Sequence, residues 1–474
     1  MTNTNARLSD GRATVLDGSA LEELTGSLRG TLLLEDEDGY HEARSIWNAM
    51  IDRKPALIIQ CVGAVDVCTA VRFAAKNELL TSIHGGGHNI AGNAVCDGGL
   101  MIDLSAMSEV RIDANARRAH VGPGASLGDF DHEAQAFGLA TPTGINSTTG
   151  IAGLTLGGGF GWLSRKHGMT IDSLRAADVV TAEGNLVHTS ESEHPDLFWA
   201  LRGGGGNFGV VTRFEFELYP VGPEVTSGLI VFSHDEAVSV LKQYKEFVAG
   251  ADDDTNVWAV LRQAPPLPFL PKRVHGTHVL VLAACHIGDH RAAKRALSPL
   301  RGFGTVIGEH VGVMPFKNWQ QAFDPLLTPG ARNYWKSHNF THLEDELLDV
   351  VVEYAGKMPS PQCEIFFGAL GGAVGRVAPD ATAYCHRDAA YVLNVHGRWD
   401  DAVEDDKCIG WARDFFRASA PYATGGVYSN FMTADETDRV SSAYGSGYDR
   451  LVKVKQEYDP NNLFRMNQNI KPQS

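Results

Sequence analysis

The chain has 474 residues, 43% of them hydrophobic and 21% charged, a globular composition long enough for two or more domains or one with a large insertion. A formal net charge of −16 excludes the basic face that general nucleic-acid or anionic-membrane binding needs, while a local basic patch for an anionic substrate stays open. The cysteines Cys61, Cys68, Cys96, Cys285, Cys363, Cys385 and Cys408 are odd in number and lack C-x-x-C spacing, so core packing is expected rather than a disulfide framework or a zinc site.

The first ten residues hold no apolar stretch of signal-peptide type and no run is long enough to span a bilayer, so the expectation is a cytoplasmic protein without a membrane partner. From there to residue 219, short β-rich runs bounded by Gly, Asn or Asp predict strands at 56–61, 79–83, 100–104, 118–121 and 177–181. Helical spacing predicts helices over 64–77, with Asp66 in its first turn, and over 126–137, with Ser126 as N-cap.

Two glycine-rich segments punctuate this region, Ser82-Ile-His-Gly-Gly-Gly-His-Asn-Ile-Ala-Gly92 and Gly150-Ile-Ala-Gly-Leu-Thr-Leu-Gly-Gly-Gly-Phe-Gly161. Backbone without Cβ atoms lets N–H groups approach a pyrophosphate, so the two segments read as one cofactor cradle with His88 beside it. A third cluster, Gly204-Gly-Gly-Asn-Phe-Gly209, matches the G-x-G-x-x-G fingerprint by letter. Its context does not fit, because a dinucleotide fingerprint runs strand, loop, helix, whereas here a helix precedes and the alternating run 210–218 follows. GxxxxGK[ST], HExxH, GxSxG and metal-ligand clusters are absent from the sequence, which removes the usual carriers of kinase and hydrolase chemistry.

Residues 221–418 change texture to longer helices, at 235–249 and 343–356, mixed with strands at 277–283 and 364–368, a second α+β unit. The proline-rich stretch 264–271 predicts a surface loop, and a helix is expected over 448–458, ending at Asp459-Pro460.

The order of these motifs resembles the FAD-linked oxidases of the vanillyl-alcohol oxidase superfamily, with their PCMH-type FAD-binding domain, and in particular the berberine bridge enzyme-like branch with its bacterial 6-hydroxy-D-nicotine oxidase-type members. The resemblance covers most of the chain. It is carried by the strand-helix entry at 55–75, by His84-Gly-Gly-Gly-His-Asn, and by Leu156-Gly-Gly-Gly-Phe-Gly-Trp with Lys166-His-Gly168. It continues through Pro195-Asp-Leu-Phe-Trp-Ala-Leu-Arg-Gly-Gly-Gly-Gly-Asn-Phe-Gly-Val-Val211 and Tyr458-Asp-Pro-Asn-Asn-Leu-Phe-Arg-Met-Asn-Gln-Asn-Ile470. Each motif is weak alone; in this order they are specific.

The resemblance implies an α+β fold: a two-subdomain FAD-binding domain over 1–220 (core about 50–220), an inserted substrate-binding domain over 221–418 whose antiparallel sheet roofs the flavin, and a C-terminal segment, 419–474, returning to the FAD domain. It implies FAD tethered through its 8α-methyl to His88. Gly85, Gly86, Gly87 and Asn89 would hold the pyrophosphate, and Gly150, Gly153, Gly157, Gly158 and Gly161 would pass close to ribityl and ring. Gly206 to Val211 would complete the adenine side, and Asn467 and Asn469 would meet the isoalloxazine. Where many relatives carry a second, cysteinyl tether this chain has Asn146, so one histidyl link is expected, with a lower potential than in bicovalent members. Where relatives commonly carry arginine, four residues before the tether, it has His84, included here among the cofactor-binding residues.

For catalysis the resemblance offers Tyr428, in a Tyr-x-Asn strand facing the flavin, as a base of lowered pKa; an ordinary buried aromatic is the alternative. Tyr334, Lys336, Glu364, Phe366, His386, Arg387, His396 and Trp399 lie on or near the expected substrate-domain strands, where period-2 alternation aims about half at the ring. Glu364 and His396 are the acid/base candidates among them, since a carboxylate or imidazole in a strand core seldom lacks a partner. The expected reaction is oxidation of a CH–OH group of a sugar or secondary-metabolite alcohol, or of a related group, with O2 as acceptor, in a monomer or homodimer. A flavin dehydrogenase with another acceptor, amine oxidation, an NADPH-driven reductase and a flavin-retaining binding protein stand as alternatives.

Overall fold

The computed structural model describes residues 2–473. Strand Leu57–Gln60 runs parallel to Leu100–Asp103, which runs parallel to Thr81–His84, so that Leu57 and Thr81 flank Leu100 from either side. Parallel neighbours need a crossover. Helix Ala64–Lys76 supplies it, packing Val67, Ala70, Val71 and Ala74 with Leu57, Ile59, Leu100 and Ile102 of the sheet. Its buried Asp66 carboxylate accepts from the backbone N–H groups of Arg29 (2.9 Å), Gly30 (3.1 Å) and Val62 (3.0 Å), pinning the helix entry to the loops around it.

A second, five-stranded antiparallel sheet follows, ordered 186–190, 174–180, 210–217, 118–121, 110–113. Helix Leu127–Gln135 starts as the sequence indicates. Ser126 Oγ accepts from Asp129 N at 3.1 Å, while the Asp129 carboxylate accepts from Ser126 N at 2.9 Å, a reciprocal capping box. Pro195–Leu201 is helical and Val210–Glu217 a strand, the reverse of a dinucleotide fingerprint around the 204–209 glycines.

The third layer is a seven-stranded antiparallel sheet drawn wholly from residues 224–399, ordered 306–315, 224–233, 278–286, 255–263, 364–369, 391–399, 332–340. Helices Ala237–Gly250, Asp345–Ala355 and Asp405–Ser419 pack on it with apolar faces that include Leu241, Tyr244, Leu347, Val351, Trp411 and Phe415. Its opposite face roofs the site described below, the architecture the sequence leads one to expect.

The C-terminal helix Tyr448–Tyr458 has the bounds read from the sequence. Lys455 in its last turn and Asp459 just past its end, both without exposed side-chain surface, form an ion pair at 2.6 Å. Lys455 Nζ also donates to the carbonyls of Asn207 (2.8 Å) and Phe464 (3.1 Å), and Asp459 accepts from Leu463 N (2.7 Å) and Phe464 N (2.8 Å). This knot brings the tail 463–470 back onto the glycines near residue 206.

One local expectation fails. Tyr428 is not on a strand; it leads into a single 3₁₀ turn, Ser429–Phe431, where the chain bends rather than pairs. Among the described residues no helix is long and apolar enough to cross a membrane.

Candidate active site

A cavity of about 320 Å³ opens where the parallel strands end, the customary place for a ligand in such sheets. The two glycine segments meet at its wall. A Cβ on Gly86 would stand 2.4 Å from Gly150 Cα, and one on Gly150 would stand 2.6 Å from Gly86 N, so neither position admits a side chain. Gly87 has φ +67°, a left-handed conformation that turns the loop toward His88. Gly85, Asn89, Gly153, Gly206 and Val211 also line the cavity, and nothing lies within 4 Å of a Cβ built on Gly153 or Gly206.

Other expected residues stand outside the lining. Gly157 is closed by Asn430, Gly158 by Met169 and Tyr428, and Gly161 by the carbonyl of Thr143; these glycines serve close packing of protein on protein. His84 is held by Asp103, Nδ1 to Oδ1 at 3.0 Å, off the cavity wall. Asn467 lines the cavity and Asn469 does not, though the side-chain oxygens of both are buried without a protein partner. Asn467 Nδ2 donates to Gly206 O at 3.2 Å, so two residues expected at different parts of the cofactor share one wall.

His88 stacks on Trp47, ring centroids 5.1 Å apart and planes at 21°. Its tautomer follows from a chain of bonds. Asn146 Oδ1 accepts from Thr148 N (3.0 Å) and from the Thr148 hydroxyl (2.8 Å). With its one proton given to Asn146, the Thr148 oxygen can only accept from His88 Nε2, 3.0 Å away. The side-chain network therefore assigns the proton to Nε2 and leaves Nδ1 as the acceptor, with Thr149 Oγ1 at 3.5 Å. Burial lowers the His88 pKa to about 4, so the ring is neutral.

On the sheet side, four strands align one row of side chains. Arg262 stands opposite Glu364, Glu364 opposite His396, and His396 opposite Trp335. Arg262 donates to Glu364 Oε2 at 2.9 Å. Burial pushes the Glu364 carboxyl up, but Arg262 and His396 more than offset it and hold it below the usual carboxylate value. Burial lowers His396 despite the carboxylate beside it. His396 Nε2 lies 3.1 Å from Asn333 Oδ1, an oxygen identified as such because Asn333 Nδ2 donates to Ala331 O at 2.8 Å. Nε2 therefore carries a proton, and Nδ1 faces Glu364 Oε1 at 3.3 Å, where a proton on Nδ1 would bridge the pair.

Tyr428 Oη accepts from Gly159 N and Asn430 Nδ2, each at 2.9 Å. These donors favour phenolate, yet burial outweighs them and pushes the phenol up to about 12, opposite to the lowered value the resemblance implies. Phe160, Phe366, Phe431 and Trp258 enclose the same space, Trp258 and Phe366 stacked at 5.6 Å and 7°.

Glu364, Phe366 and His396 thus reach the cavity; Tyr334, Lys336, His386, Arg387 and Trp399 do not. Tyr334 and Lys336 bind Asp435 at 2.6 and 3.0 Å, Arg387 binds Asp172 at 2.8 Å, His386 approaches the Ser442 carbonyl at 3.0 Å, and Trp399 donates to Asp405 at 2.8 Å. The cavity-facing residue of strand Arg332–Phe340 is Trp335, of the other parity. Trp47, Trp258, Arg262, Asn333 and Thr148 were also not singled out from the sequence. Alternation from Glu364 across the register would have found Arg262 and Trp335, but register is not written in one strand's sequence.

The donors and the cradle suit FAD: side-chain-free backbone where a diphosphate needs close approach, a neutral imidazole with a lone pair on Nδ1, and orphaned amide oxygens in the tail. Comparison with known proteins agrees. Residues 55–190 match the model of an FAD binding domain, and residues 427–471 match the model described as berberine and berberine like. (R)-6-hydroxynicotine oxidase of Paenarthrobacter nicotinovorans is 31% identical over 94% of this chain and 98% of its own length. Xylooligosaccharide oxidase of Thermothelomyces thermophilus is 28% identical over 96% of this chain and 95% of its own. The crystal structure of 6-hydroxy-D-nicotine oxidase from Arthrobacter nicotinovorans superposes with a TM-score of 0.84 at 29% identity, covering 94% of this chain and 99% of that one.

Proposed function

Because the chain belongs to the berberine bridge enzyme-like family of FAD-linked oxidoreductases, we propose that it is an oxidase holding FAD through one covalent link, to His88. It oxidises a CH–OH or related CH–X group of a small molecule, with O2 as acceptor. FAD, when bound, supplies the two-electron acceptor for the substrate hydride and passes the electrons to O2 as hydrogen peroxide.

His88 is suited to the link because its lone pair is on Nδ1, which has only a long contact with the Thr149 hydroxyl in the side-chain network, and its ring is neutral. Gly86 and Gly150 pack on each other and hold the two glycine segments together, the open Gly153 and Gly206 leave backbone free for a diphosphate, and Asn146 leaves the second tether without a sulfur. The observation that carries the catalytic assignment is the Glu364–His396 contact, Nδ1 to Oε1 at 3.3 Å, a pair that one proton on Nδ1 bridges. A substrate O–H or N–H supplies that proton. His396 takes it at Nδ1, Glu364 stabilises the resulting imidazolium, and Arg262 keeps Glu364 ionised. Tyr428 stays a phenol and donates its remaining proton to the substrate heteroatom.

The rival within the family is a dehydrogenase that excludes O2. Rapid mixing of the reduced holoenzyme with O2 separates them. Reoxidation in step with turnover and stoichiometric peroxide is expected; reoxidation slower than turnover contradicts the oxidase reading.

A further inference from the structure

Beside the main cavity lies a second one of about 60 Å³, and the two share Ile145, Trp258, Leu327, Glu364 and Phe366 as a common wall. The slot runs over Leu229, Val231, Val260 and Val281 of the large sheet and is covered by Leu267 and Leu270 of the proline-rich loop. Its only charged lining groups, Arg262 and Glu364, bind each other. The room suffices for several atoms, and the rest of the wall is apolar apart from two indole N–H groups.

Two further atoms point to an occupant. Nε1 of Trp162 and Nε1 of Trp258 are buried donors in this wall with no hydrogen-bond partner, and both tryptophans are 3% exposed. Buried donors are normally paired.

We infer that the slot receives an uncharged aryl or alkyl-aryl substituent of the substrate, carrying at most an ether or carbonyl oxygen for the two indole N–H groups. The substrate class is then a small aromatic alcohol or amine, its polar end at Glu364 and His396 and its apolar end in the slot. This rests on the proposed reading of the main cavity as the redox site. A second sugar unit does not fit this wall, because its several hydroxyls would lose water without gaining partners.

The test is calorimetric titration of the purified holoenzyme with phenol, 4-propylphenol and xylobiose. The three added carbons enter the slot and tighten binding at least about tenfold over phenol. Leu267→Glu, at the half-buried loop, and Ala283→Phe, which fills the slot, each remove that advantage and leave phenol binding unchanged; the loop variant keeps the test open where the core variant fails to fold. Equal binding of phenol and 4-propylphenol, no measurable binding of 4-propylphenol, or tighter binding of xylobiose overturns the inference. Flavin content is read separately by absorbance. Flavin-loaded protein without the propyl advantage sinks the slot alone, and flavin-free protein with it sinks the redox reading instead.

Discussion

Glu364 and His396 are direct cross-strand partners, Oε1 to Nδ1 at 3.3 Å, and Asn333 fixes the proton of His396 on the far nitrogen. The carboxylate and the imidazole therefore act on a proton as one unit, whose apparent pKa values belong to the pair.

That pairing sets the pH dependence of turnover. His396 is held below the ordinary imidazole value, so its neutral, accepting form persists as pH falls through about 6.5 and is lost only under it. The acid limb of kcat/KM falls below that point, and His396→Gln lowers kcat/KM by about 10²–10⁴ while removing the limb. Glu364→Gln, which takes away the charge that supports the imidazolium, shifts the limb further toward acid. A limb unmoved by both substitutions assigns the proton elsewhere.

Flavin attachment has its own control in Thr148. Thr148→Val removes the acceptor that holds the Nε2 proton of His88, a hydrogen bond worth ~1 kcal/mol, and slows covalent incorporation about fivefold when flavin-free protein is mixed with FAD. The wild-type rate stays level with falling pH until His88 protonates, at about 4. Flavin fluorescence of the denatured protein in a gel reports both.

The contact between Gly86 and Gly150 admits no methyl group. Gly150→Ala separates the two loops or strains them, costing about 1–3 kcal/mol, and the purified variant carries less flavin than wild type. Thermal unfolding and the ratio of visible to ultraviolet absorbance measure the two effects.

Lys455→Met leaves the Asp459 carboxylate buried without its cation and destabilises the protein by about 3–5 kcal/mol. The tail 463–470 loosens with it, which hydrogen exchange of those amides detects as faster exchange.

Much of this molecule is legible in its sequence because its punctuation is local. Ser126 announces a helix start, Asp459-Pro460 announces a helix end, and the two glycine segments announce the close backbone contact that Gly86 and Gly150 make. What was not legible depends on register. Tyr334 and Lys336 were as good candidates as Trp335 until pairing with the 391–399 strand put Trp335 opposite His396. The glycines at 157, 158 and 161 look like the cradle glycines in sequence, and only packing distinguishes them: they close on Asn430, Tyr428 and Thr143 rather than facing the cavity. The partners of His88 and His396, Thr148 and Asn333, are ordinary polar residues 60 and 63 positions away in the chain, and nothing in their local sequence marks them.

The most direct test of the account is the absorbance of purified protein before and after acid precipitation, for wild type and for His88→Ala. The account predicts yellow colour that stays with the wild-type pellet and moves to the supernatant, or is already missing, in the variant. Colour released equally from both would contradict the histidyl link, and a colourless wild-type protein would contradict the flavin assignment itself.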